Sequence, residues 1–235
     1  MTYKMDELSK FVGIYGIPEA ANYLSHTPPF TNGSNISTER LRYWIRTSVP
    51  IITPLDLPIA RRLISFNDLI SMRMVAVMRS RNVKLKDIRA AELYIRMEFG
   101  IKYPFINRDI WTHGSDIFIK FENCLLSASK YGQSAMDFLK DWIRKVEIDM
   151  AFDRDNYVQS WNPYGDITLD PKIQVGMPCI SGTRIPSKSI WRKLIAGDSL
   201  EILADLYNIS TSQIEHVIQW EKRLERNGGK TPVFA

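Results

Sequence analysis

Residues 170–186 hold three prolines (Pro171, Pro178, Pro186) and two glycines (Gly176, Gly182) within seventeen positions. Proline fixes φ and withholds a backbone donor, and glycine alone enters left-handed turns without strain. No continuous helix or central strand runs through such a stretch. Short β segments are expected at Ile167–Leu169 and at 173–175, turned by Gly176, Pro178, Gly182 and Pro186.

After this block the sequence turns helical. Ser187 can cap a first helix and Gly197 can end it. Asp198 with Glu201 resembles a capping box for a second helix, and Ser210 with Gln213 does so for a third. Ile190, Leu194, Leu203, Ile214, Val217 and Ile218 are the expected core. The fold class read from the whole chain is mainly α (α+β). Residues 166–226 read as a three-helix domain with a small β-hairpin.

The other strong feature is charge placement. The net charge is +5. Residues 36–100 hold twelve Lys and Arg against six Asp and Glu, an excess of six, so this segment carries the whole positive balance. Most of those cations are arginines, whose planar fork suits phosphate.

Within that segment the sequence predicts a helix over Thr38–Arg46, with Ser37 as its cap and Glu39 in its positive first turn. An earlier helix opens at Pro18 and runs to about Leu24. A breaker-rich stretch at 26–35 separates the two. Residues 49–65 mix β-branched residues with Pro50, Pro54 and Pro58 and suit a hairpin or wing carrying Arg61 and Arg62. A third helix follows from Asn67, with Ile70, Met74 and Val77 on one face. A fourth carries Leu85, Ile88, Ala91, Ile95 and Phe99.

Beyond Gly100 the charge is nearly balanced. Residues 117–121 read as a strand, and Leu139, Ile143 and Val146 place a stripe on a further helix, so 101–150 reads as an α/β connector or dimer surface. Residues 151–165 are acidic, irregular in pattern and rich in aromatics (Phe152, Tyr157, Trp161, Tyr164), which reads as a linker. Residues 227–235 read as a tail.

Several function classes find no support in the residues. No apolar run approaches the ~18 to 20 residues of a membrane span, and residues 1–10 lack a secretory core, so a cytoplasmic location is expected. His26, His113 and His216 are scattered without metal-ligand spacing. Cys124 and Cys179 are far apart and are expected as buried thiols, and no phosphate-cradling glycine loop or nucleophile elbow is present. Asp149, Asp153 and Asp155 could hold magnesium in a nuclease but equally suit an acidic linker. The expectation is a non-enzyme with no cofactor and no metal site.

Two resemblances sharpen this reading. The run from Tyr15 to Leu24, with Leu41-Arg42-Tyr43-Trp44-Ile45 and the segments 64–69 and 83–88, resembles a MerR-like winged helix-turn-helix over about 11–100, which sets a first domain at 1–100. Residues 170–173 and 176–186, continued by 194–199 and 207–209, resemble domain of unknown function 433, which implies that the three-helix domain at 166–226 is helix-turn-helix-like. That motif includes Asp170, Gly176, Pro178, Gly182, Thr183, Arg184 and Pro186. Together the two resemble a VapB-type antitoxin, which implies a homodimer that represses its own operon and neutralises a PIN-like ribonuclease toxin.

The DNA-binding residues expected on operator duplex are Thr38, Arg40, Arg42, Tyr43, Arg46, Arg61 and Arg62. Those expected on the toxin are Arg223, Arg226, Lys230 and Phe234 of the tail, or Trp161 of the linker. Arg184 pairs with Asp166 or Asp170, or else contacts phosphate or the partner. A MerR-like transcriptional regulator without a toxin partner is the alternative.

Overall fold

The strand that opens the described chain borrows its partner from fifty residues further on. A computed structural model describes residues 13–27, 36–46, 63–101, 103–112, 116–128, 137 and 149–225. β1 (Ile14–Gly16) pairs antiparallel with β2 (Leu63–Ser65), with Tyr15 opposite Ile64. Each strand feeds directly into a helix. α1 (Ile17–Ser25) starts with Pro18 in its first turn and with the Glu19 carboxylate accepting from the Gly16 N–H. α3 (Phe66–Ser80) starts at a capping box, in which Ser65 Oγ accepts from the Asp68 N–H and Asp68 accepts from the Ser65 N–H. Between them lies α2 (Thr38–Arg46). The expected wing at 49–65 lies outside the described residues apart from β2.

α4 (Leu85–Phe99) ends at Gly100, whose φ of +66° is the left-handed cap conformation. After a 3₁₀ turn at Pro104–Ile106 come the short α5 (Arg108–Trp111) and α6 (Asp116–Ala128). α6 corrects the expectation of a strand at 117–121. Ile117, Phe118, Phe121 and Leu125 recur at helical spacing and are buried, and α6 lies along α4, with Lys120 Nζ 4.0 Å from Glu98 Oε1. The expected stripe of Leu139, Ile143 and Val146 lies outside the described residues.

The stretch 151–165 is not a linker. β3 (Met150–Phe152) and β4 (Val158–Tyr164) are strands that continue through β5 (Ile167–Leu169) to β6 (Cys179–Ile180) as an antiparallel meander in the order β3-β4-β5-β6. Irregularities interrupt the register after Ala151 and between Trp161 and Tyr164. Residues 173–175 are not a strand either, because Gln174–Gly176 form a 3₁₀ turn.

Three helices close the chain: α7 (Ser187–Ile195), α8 (Leu200–Tyr207) and α9 (Thr211–Glu225). The caps differ in part from expectation. Pro186 stands at the cap of α7, and Ser187 Oγ instead donates to the buried Glu221. Ser199, not Asp198, caps α8 by accepting from the Ile202 N–H at 3.3 Å. Ser210 and Gln213 do exchange the capping bonds of α9. The chain is thus mainly helical with small antiparallel sheets, and its buried residues form one connected cluster from Tyr15 to Trp220.

Candidate nucleic-acid interface and the C-terminal hairpin

α2 divides its residues sharply. Leu41, Trp44 and Ile45 are in the core, while Tyr43 is 63% exposed and Arg40 is exposed. Thr38 and Arg42 are half-buried on the same element. Ser37 Oγ accepts from the Arg40 N–H at 3.2 Å, so the capping serine fixes the turn that presents Arg40. Arg42 lies 3.5 Å from Glu39 across an exposed pair, which costs little to break. The side chain of Arg46, and Arg61 and Arg62 entirely, lie outside the described residues.

Not every cation of the basic segment is available to a partner. Arg73 is buried, with its guanidinium 4.8 Å over the Trp161 ring. Burial lowers its pKa to about 9 against the opposing pull of Asp149. Arg79 donates to the Val83 carbonyl at 2.7 Å beyond the end of α3, and Arg96 pairs with Glu92 within α4. Arg89 of α4 lies near Tyr43, its pKa lowered by burial and raised in part by that tyrosine. Arg81, Lys84 and Lys86 are exposed around the start of α4.

The expected toxin contact at Trp161 is corrected. Its side chain is 0% exposed between the meander and α3, so no partner can reach it in the folded protein. Arg223 is half-buried with its guanidinium 3.9 Å over Tyr164. Arg226, Lys230 and Phe234 lie outside the described residues.

The proline-glycine block has an internal logic. Tyr15 of β1 donates to the Gly176 carbonyl at 2.9 Å, and a Cβ at Gly176 (φ +84°) would collide with that hydroxyl. Pro178 is buried, and its carbonyl accepts from the Ser187 N–H at 2.9 Å, while Pro186 bridges to Cys179. Gly182 takes φ +75° in the next turn, which Thr183 closes with its Oγ1, donating to the Ile180 carbonyl at 2.8 Å and accepting from the Ile185 N–H at 3.0 Å.

Asp170 accepts from the Lys172 N–H at 2.8 Å. Asp166 bonds His216 Nδ1 at 2.8 Å. Among the described residues Arg184 makes no ion pair with either aspartate, and it is exposed. Cys179 is buried, which pushes its thiol up to about 11, and Cys124 is only half-buried.

Contacts that the sequence did not reveal join the two ends of the chain. The rings of Tyr23 and Trp220 lie 5.9 Å apart, and Asn22 Nδ2 donates to the Leu224 carbonyl at 3.2 Å.

The geometry of the hairpin and three helices coincides with a family boundary. Residues 167–220 match the family described as protein of unknown function (DUF433). The DUF433 segment thus takes in β5, β6, α7, α8 and most of α9. The crystal structure of Rv2018 from Mycobacterium tuberculosis superposes with a TM-score of 0.69 at 19% sequence identity, covering 87% of this chain and 96% of that chain. That likeness extends well beyond the DUF433 segment and shows a shared fold. No curated protein matches the chain. No helix among the described residues is long and apolar enough to cross a membrane.

Proposed function

We propose that the chain is a non-catalytic protein that binds operator duplex DNA through the outer face of α2. The carrying observation is the division of that helix: Arg40, Arg42 and Tyr43 face outward, while Leu41, Trp44 and Ile45 anchor it. A short helix so anchored suits the major groove, and the exposed Arg81, Lys84 and Lys86 suit flanking phosphates. The DUF433 segment, with its resemblance to VapB-type antitoxins, supports the fuller role of an autorepressing antitoxin that holds a PIN-like toxin as a homodimer.

Titrating a duplex from immediately upstream of the gene, by anisotropy between 50 and 200 mM salt, tests the DNA-binding reading. Each phosphate contact contributes about −0.9 to the slope of log K against log salt. Submicromolar binding at low salt is expected, and its absence would remove the reading. Co-expression with the product of the neighbouring gene, scored by growth rescue and co-purification, tests the antitoxin role.

A further inference from the structure

The inward residues of the 170–186 motif are accounted for by the fold they build, and its outward residues are not. Lys172, Val175, Met177 and Arg184 all point to solvent. Val175 is 55% exposed and Met177 44%, and Ile14 of β1, which lies against this turn, is 43% exposed. Gln174 and Val175 both take left-handed backbone conformations, Val175 at φ 56° and ψ 30°. For a β-branched residue that conformation is a clear outlier.

A glycine would remove the strain, and the valine side chain offsets little of it by burial. Gln174 Nε2 donates to the Arg184 carbonyl at 3.1 Å, which holds the strained turn and the Arg184 turn side by side. Neither Lys172 nor Arg184 makes an ion pair among the described residues, and the Asp170 carboxylate accepts from the Lys172 backbone N–H rather than from its ammonium.

We propose that Val175 and Met177, flanked by Lys172 and Arg184, form a docking surface for a protein partner that offers an apolar side chain rimmed by carboxylates. The inference rests on the antitoxin reading and names the surface that would hold the toxin. Charge complementarity selects this occupant. A second copy of the chain would bring Lys172 and Arg184 against their own equivalents about a twofold axis, where like charges repel. Duplex DNA would satisfy the two cations but leave the strained valine and the methionine with nothing apolar to cover them. Backbone strain held at a surface turn is itself a mark of a binding site.

The test uses the full chain co-expressed with the neighbouring gene product, with duplex affinity measured on the same preparations. Two double variants are compared with wild type: Val175→Gly with Met177→Ser, and Lys172→Glu with Arg184→Glu. A benzophenone side chain placed at position 175 supplies an independent readout. The expected result is at least a tenfold loss of co-purifying partner in both variants, unchanged DNA affinity, a melting temperature no lower than that of wild type, and a photo-crosslink from position 175 to the partner.

Full retention of the partner by both variants sinks the surface while leaving the antitoxin reading intact. Loss of DNA affinity, or loss of self-association, in the charge-reversed variant assigns the surface to duplex or to a second copy and overturns the proposal. Failure of wild type to retain the neighbouring product removes the antitoxin reading, and the docking surface with it.

Discussion

Asp68 is a buried carboxyl group whose chemistry folding alters. It is 6% exposed, and it accepts from the Ser65 N–H at 2.9 Å and the Ser65 hydroxyl at 2.7 Å. Burial raises its pKa from 3.8 to about 6, overriding two hydrogen bonds that favour the ionised form. The folded state therefore holds this proton more tightly than the unfolded chain does. The resulting stability is complete below about pH 4 and is lost as pH rises through about 6, by up to about 3 kcal/mol. Asp68→Asn has no such proton to lose, so the unfolding free energy of the variant minus that of wild type should grow by about 2–3 kcal/mol from pH 4 to pH 7. A difference in urea titrations that stays level with pH would refute the assignment.

Trp161 makes a second prediction at this scale. Truncation to Ala should cost about 3–5 kcal/mol, because it opens a cavity and strips the aromatic face from the buried Arg73, and Trp161→Phe should cost less. Equal midpoints for wild type and Trp161→Ala in urea would count against it. Why this tryptophan looked like a linker residue is also physical. The register irregularity between Trp161 and Tyr164, with Pro163 inside the strand, destroys the alternation by which a strand is read.

At the scale of elements, α2 was legible because a capping serine, an acidic first turn and an apolar stripe all agree. α6 was not, because four β-branched and aromatic residues within the five positions 117–121 suit a strand until the long contact with α4 decides otherwise. Arg40→Ala with Arg42→Ala should weaken operator binding at least tenfold and make the salt slope shallower by about one to two units, with unchanged far-ultraviolet dichroism. An unaltered slope would mean that neither arginine touches phosphate. The turns of the DUF433 segment were placed correctly by Gly176 and Gly182. The assignment of Ser187 as a cap failed because its hydroxyl serves the buried Glu221, a partner 34 residues away that local pattern cannot show. Ser199→Ala removes the actual cap of α8 and should cost about 1 kcal/mol, read from the shift in melting temperature.

For the whole molecule, the decisive contacts join residues far apart in sequence. Tyr15 to Gly176 and Tyr23 to Trp220 connect the first strand and helix to the DUF433 segment, and Arg73 over Trp161 ties α3 to the meander. None has a local signature, so the sequence suggested units separated by a linker where the structure has one connected core. Unfolding in urea should accordingly follow a single transition, with tryptophan fluorescence and far-ultraviolet dichroism coincident. Gly176→Ala, which drives a Cβ into the Tyr15 hydroxyl, should lower that shared midpoint. Two separated transitions would show that the ends fold independently.

The bond from Asn22 to the Leu224 carbonyl also gives an experimental handle. The last turn of the final helix is fastened to the first helix, so a reporter dye at Glu225 would sit within sight of the element that leads into α2. Its brightness could register operator capture without any label on the reading helix itself.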